Sequence, residues 1–175
     1  MTGRNREAAL FTEPQISQAV QDLARAVDGQ CPDDFVMIVL MDGGMVFAAD
    51  LLRALFGLGR NPQMGSLGLS SYGAGRQSRG VVRVTQELQM DISGRDVLIV
   101  DDVLESGASL EFARDYLIGR GANSVRSCAL ARKPYEGRKA QADFVGFDAP
   151  DKFLLGYGLD DDLRYRGQPY ISGLS

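Results

Sequence analysis

The stretch VLIVDDVLESGASL, residues 97–110, decides how the rest of the chain is read. Val97, Leu98, Ile99 and Val100 run without a polar break into Asp101 and Asp102. A short, wholly apolar run suits a strand buried on both faces of a parallel sheet. Such a strand delivers its carboxyl end to the sheet edge where open α/β folds bind ligands. Glu105, Ser106, Gly107, Ala108 and Ser109 must then turn into a helix, predicted over residues 110–117. Backbone amides in that turn and at the helix N-terminus form an anion site, and Gly107 permits close approach of a phosphate. Ser106 and Ser109 add hydroxyl donors. One end of the stretch therefore welcomes an anion while the other carries acids. A sugar phosphate satisfies both: its phosphate in the amide nest, its hydroxyls on Asp101 and Asp102, directly or through Mg²⁺.

The surrounding chain fits the same architecture. Thr12-Glu13-Pro14-Gln15 has the form of a helix start, with Thr12 as cap and Gln15 closing a capping box. Ile16, Val20, Leu23 and Val27 continue at helical spacing. Residues 35–40 (FVMIVL) predict a second strand buried on both faces, followed by Gly43-Gly44 and a helix over 45–56. Further strands are predicted at 67–72, 97–100, 124–131 and 144–147, with Val81, Val84 and Leu88 alternating between the first two. Strand and helix alternate, so the expected class is α/β with a central, mostly parallel sheet flanked by helices. No repeat or linker divides the chain, and residues 1–175 are expected to form one domain. The polar, glycine-rich residues 73–80 (GAGRQSRG) read as a solvated loop or as a mobile lid.

Composition narrows the chemistry. The net charge of −4 argues against duplex nucleic acid as the main partner, because phosphate binding shows as a basic face. No apolar run approaches the ~20 residues that span a bilayer. The polar N-terminus lacks the apolar core of a signal peptide, and Cys31 and Cys128 are few and unpatterned. A cytoplasmic protein is expected. Histidine is absent, which removes His-based acid–base catalysis and Ser-His or Cys-His nucleophile systems. A metal would sit on carboxylates, and Mg²⁺ is the natural candidate.

The string of apolar strand, two acids, two apolar residues, an acid, Ser, Gly, any residue and Ser resembles the phosphoribosyl-pyrophosphate (PRPP) motif of the type I phosphoribosyltransferases. Four other segments resemble the hypoxanthine–guanine branch of that family: LMDGGMVFAADLL (40–52), SSYGAG (70–75), LARKPY (130–135) and FVGFDAPDKFLLGYGLDDDLRYRGQPYI (144–171). Their order and spacing agree over residues 14–171. The resemblance implies a small C-terminal hood formed mainly by about 144–175 and a flexible loop at about 71–95 that begins with Ser71 and Tyr72. It implies transfer of phosphoribosyl from PRPP to a 6-oxopurine, giving a nucleoside monophosphate and pyrophosphate, in a homodimer or homotetramer. Asp101 and Asp102 would serve the ribose hydroxyls, residues 105–109 the 5′-phosphate, and Glu105 the proton at purine N7. Asp42, Gly43 and Arg166 would lie at the pyrophosphate. Lys133 would meet the purine O6, Phe153 stack on the base, and Leu154 offer it backbone groups. Asp160 would join Asp101 and Asp102 around Mg²⁺. An ammonium only donates, so Lys133 favours a 6-oxo over a 6-amino group.

This chain departs from the family pattern at four positions: Asp42 where a basic residue is common, Glu105 where Asp is usual, Ala108 for a longer side chain, and Asp161 for an aromatic. Two alternatives therefore stand beside purine salvage: a phosphoribosyltransferase for a specialised heteroaromatic acceptor, and a catalytically weak regulator that senses PRPP or nucleotides.

Overall fold

In the computed structural model, which describes residues 6–71 and 82–174, the elements follow in the order β1 (Arg6–Phe11), α1 (Glu13–Gln30), β2 (Val36–Met41), α2 (Gly44–Gly57), β3 (Gln63–Ser71), β4 (Val82–Gln86), β5 (Asp96–Leu104), α3 (Ala108–Gly119), β6 (Ser124–Arg132), β7 (Phe144–Asp148), β8 (Phe153–Leu155) and β9 (Ile171–Leu174). The apolar run at 97–100 lies in β5, at the centre of a six-stranded sheet of order β4-β3-β2-β5-β6-β7. Every pairing in it is parallel except β3 with β4.

The burial on both faces follows from two cores. Leu98 and Val100 of β5, with Met37 and Val39 of β2, pack under α1 and α2. Val97 and Ile99, with Val36, Ile38 and Leu40, pack on the opposite face with Leu110, Ala113 and Leu117 of α3. Side chains alternate across a strand, so a strand covered on both faces must be apolar at every position. The capping box at the start of α1 forms as expected, the Thr12 amide donating to Gln15 Oε1 at 2.9 Å.

Strand order explains where the site lies. From β2 the chain crosses through α2 to β3 on one side; from β5 it crosses through α3 to β6 on the other. β2 and β5 are direct neighbours, with Val39 opposite Val100. Their carboxyl ends thus flank a topological switch point, the crevice in which open α/β sheets take ligands.

Two expectations need correction. The hood expected from residues 144–175 is drawn differently: β7 is the edge of the large sheet, and the separate three-stranded antiparallel sheet is β1-β9-β8, its third strand supplied by the N-terminus. Within the loop expected at 71–95, Ser71 ends β3, residues 82–86 form β4 against it, and Leu88 and Ile92 are buried in the core. Tyr72 and the glycine-rich residues 73–80 lie outside the described residues.

Candidate active site

The site is assembled from the ends of β2, β5 and β6 and from the hood. At the end of β5 the turn 105–107 enters α3, with Gly107 as N-cap in the left-handed region at φ 74°. A Cβ at Gly107 would lie 2.6 Å from both the backbone N and O of Ala140, so glycine is required here by conformation and by space. Ser106 Oγ accepts from the Ala108 amide at 3.3 Å, which makes it an acceptor as well as the expected donor. A pocket of about 190 Å³ opens at this helix start, lined by Asp101, Glu105, Ser106, Gly107, Ala108 and Ser109 among others. Its size and its helix N-terminus suit one phosphate group.

Beside it lies a cleft of about 500 Å³ that brings together Asp42, Gly43, Asp102, Glu105, Lys133, Phe153, Leu154, Asp160 and Arg166. These nine, each named as a site residue from the sequence, come from four separate stretches; Leu69, Val103 and Leu159, which were not, complete the lining. Asp101 lines the phosphate pocket instead of the cleft.

Three contacts shape the cleft. Lys133, directly after β6, is 9% exposed, and its Nζ stands 3.4 Å from Glu105 Oε2. Arg166 Nη1 donates to the Gly158 carbonyl at 2.7 Å, and Nη2 pairs with Asp160 Oδ1 at 2.9 Å. The loop after β2 meets Asp102 so closely that a Cβ on Gly43 would fall 1.8 Å from Asp102 Oδ2. The peptide bond between Met41 and Asp42 is cis. Phe153, at the start of β8, is 40% exposed, while Leu154 is buried.

Arg138 is a residue that the sequence reading missed. Its Nε donates to the Glu105 carbonyl at 2.8 Å and its Nη2 to the Lys133 carbonyl. It ties together the two loops that carry the ammonium and the carboxylate. It lies in the loop after β6, among polar residues where no local pattern marks it.

Asp101 and Asp102 perturb each other. Burial first, and then the Asp102 carboxylate beside it, push the Asp101 carboxyl well above its usual range. Asp102 is raised by burial as well, with the Asp101 and Val103 contacts pulling the other way. Among the described residues no three acidic or sulfur ligands converge on one point. The adjacent Asp101 and Asp102 are the one or two carboxylates with which Mg²⁺ is commonly held, together with substrate oxygens and water.

A prediction for stability follows from the Asp101 shift. A carboxyl raised in the folded state costs nothing below the ordinary carboxylate range, destabilises progressively as pH rises from there, and exerts its full cost above its folded-state value. Asp101→Asn keeps an oxygen for the Asp102 amide, which now donates to Asp101 Oδ1 at 3.0 Å. The variant is expected to melt higher than the parent at pH 7.5, with the gain vanishing near pH ~4. Thermal melts at the two pH values check this; a gain that persists undiminished at the lower pH would refute the origin in charge.

A strand order with its switch point at two acids, next to a phosphate-sized pocket, is the frame of an open α/β protein whose site suits a phosphorylated ligand. A family model, the phosphoribosyl transferase domain, matches residues 7–162, and the chain belongs to that family. Its similarity is to the purine branch. It is 40% identical over 177 residues to the hypoxanthine-guanine phosphoribosyltransferase of Mycobacterium avium, covering 96% of this chain and 85% of the relative. It is 36% identical over 169 residues to that of Dictyostelium discoideum, covering 94% and 93%. Among solved structures, a hypoxanthine-guanine phosphoribosyltransferase from Bacillus anthracis superposes with a TM-score of 0.87 at 31% identity, covering 98% of this chain and all of that one.

Proposed function

We propose that the protein transfers the phosphoribosyl group of PRPP to a 6-oxopurine, hypoxanthine or guanine, releasing the nucleoside monophosphate and pyrophosphate. The observation that carries this reading is the Lys133–Glu105 pair, 3.4 Å apart in the same cleft as Asp102 and Arg166. A donor-only ammonium faces the purine oxygen while a carboxylate stands next to it for the ring proton. The exposed Phe153 ring offers the base a flat apolar wall.

Cleavage of the bond from C1 to pyrophosphate leaves positive charge on the ribose ring, which the Asp101–Asp102 carboxylates favour. The amides around Gly107 hold the 5′-phosphate and so fix the sugar relative to the base. Arg166 binds oxygens of the departing pyrophosphate, for which a guanidinium is shaped. Mg²⁺ bound on substrate oxygens beside Asp160 and the Asp101–Asp102 pair would neutralise that leaving group.

No helix among the described residues is long and apolar enough to cross a membrane. Cys31 and Cys128 are buried free thiols, which supports a cytoplasmic setting. Met45, Phe56 and Leu58 leave apolar surface uncovered along α2, in support of a homodimer or homotetramer, a state that sedimentation velocity reads directly.

The test is a panel of bases with PRPP, following pyrophosphate release. Hypoxanthine or guanine is expected to exceed adenine in kcat/KM by about 10²-fold or more, because a donor facing the 6-amino group is left unpaired. Excess chelator is expected to abolish turnover. Adenine matching hypoxanthine, or full turnover in chelator, counts against this assignment; no pyrophosphate from any 6-oxopurine would leave the specialised heteroaromatic acceptor and the regulator readings.

A further inference from the structure

The cleft built for a polyanion is itself acidic: Asp42, Asp102, Glu105 and Asp160 line it against Lys133 and Arg166. Lys133 is engaged with Glu105, so among the described lining residues Arg166 is the cation that faces the remaining acids. Its guanidinium is held from two sides by the Gly158 carbonyl and Asp160. Asp42 approaches from a third, with Oδ2 at 4.0 Å from the same Nη2 that pairs with Asp160. The approach is enforced by the backbone. A Cβ on Gly158 would lie 2.3 Å from the Gly43 carbonyl, so the loop after β2 and the hood loop are in contact at the base of this trio. The Asp42 side chain is 66% exposed, whereas that of Asp160 is 27% exposed.

We propose that Asp42 is a positioning residue that competes with pyrophosphate for Arg166, setting how weakly the pyrophosphate product is held. The inference rests on the function proposed above. Asp42 shares Arg166 with Asp160 as a second, more distant anion, its Oδ2 at 4.0 Å against 2.9 Å for Asp160 Oδ1. Pyrophosphate must displace it and then sit beside a carboxylate whose charge opposes its own. Both effects shorten the stay of pyrophosphate, and both act at one end of the substrate only. The 5′-phosphate pocket is formed by another loop, residues 105–109, and none of its lining is shared with Asp42 or Arg166.

The experiment compares product inhibition by magnesium pyrophosphate and by the nucleoside monophosphate in the parent and in Asp42→Asn. The inhibition constant for pyrophosphate is expected to fall about tenfold, the scale of removing one opposing unit charge at close range in a partly exposed site. That for the nucleoside monophosphate is expected to stay within about twofold of the parent. In an Arg166→Gln background the effect of Asp42→Asn on pyrophosphate is expected to shrink to less than about threefold, because the coupled partner is gone. An unchanged pyrophosphate constant overturns the proposal, and so does an equal fall for both products, which marks a general change of the loop. A tenfold effect retained in the Arg166→Gln background overturns the competition for Arg166. If the parent releases pyrophosphate normally and only these constants fail to move, the inference falls alone. If the parent releases none, it falls together with the function on which it rests.

Discussion

Glu105→Gln is expected to lower kcat by about 10²–10⁴-fold on the best base, the range that general acid–base assistance supplies. The substitution keeps size and one acceptor but removes the carboxylate. Glu105 stands at the mouth of the cleft with its side chain 52% exposed, and Oε2 lies 3.4 Å from Lys133 Nζ. Arg138 holds its carbonyl from behind, so the backbone is placed and only the side chain varies. The KM for PRPP is expected to change little, since Asp101, Asp102 and the amides of residues 106–109 are untouched. A loss confined to kcat is the signature of an interaction made in the transition state. Glu105→Asp withdraws the carboxylate by one methylene and restores the residue usual in the family. With hypoxanthine it is expected to be neutral or better. Steady-state kinetics on the three proteins decides; a fully active Gln variant would remove the acid from the mechanism.

Gly43→Ala is expected to cost about 10²-fold in kcat/KM while moving the unfolding midpoint by less than about 3 °C. Gly43 has φ −60° and ψ −41°, a conformation alanine adopts without strain. The added Cβ would instead fall 1.8 Å from Asp102 Oδ2 and 2.7 Å from its Cγ. The far end of a side chain can rotate away, so the fold survives, but the carboxylate that should meet the ribose no longer points there. Displacement of a positioning group by about 1 Å is enough for a loss of this size. A melt and a kcat/KM measurement on one preparation separate the two effects. A variant that is fully active means that Asp102 tolerates the shift; one that melts far below the parent means that the loop carries stability. Gly107 contrasts with it, because a Cβ there meets the backbone of Ala140, which cannot step aside.

Much of the site was legible because its residues sit in short local patterns. The apolar run, the acid pair and the Ser-Gly-Ala-Ser turn occupy fourteen consecutive positions, 97–110, and each part has a local physical reason. The helix after them starts two residues earlier than its apolar spacing indicates, at Ala108 instead of residue 110, because Gly107 in its left-handed conformation already ends the turn. The hood was harder to read. Its β8 and β9 are three and four residues long, and β1, REAALF, opens on two charged residues, alternates no apolar face, and becomes a strand only by pairing with β9. Nothing local distinguishes it from a solvated terminus. Arg138 was missed for a related reason: an arginine in a polar loop gains meaning only when two distant carbonyls converge on it.

Alternating strand and helix patterns, together with strands apolar at every position, determine a parallel sheet covered on both faces, because periodicity and burial are local consequences of side-chain direction. The run of acids at a strand end followed by small residues likewise determines a phosphate-and-sugar site. Which strands become neighbours is not local. Only the folded sheet places the end of β2 against the end of β5, so that Gly43 abuts Asp102 and Asp42 comes to 4.0 Å from Arg166, a residue 124 positions further along the chain. Those approaches depend on the crossovers of α2 and α3 to opposite sides and on contact between the hood loop and the loop after β2. Each joins segments far apart in sequence, whose distance is set by the packing of the elements between them.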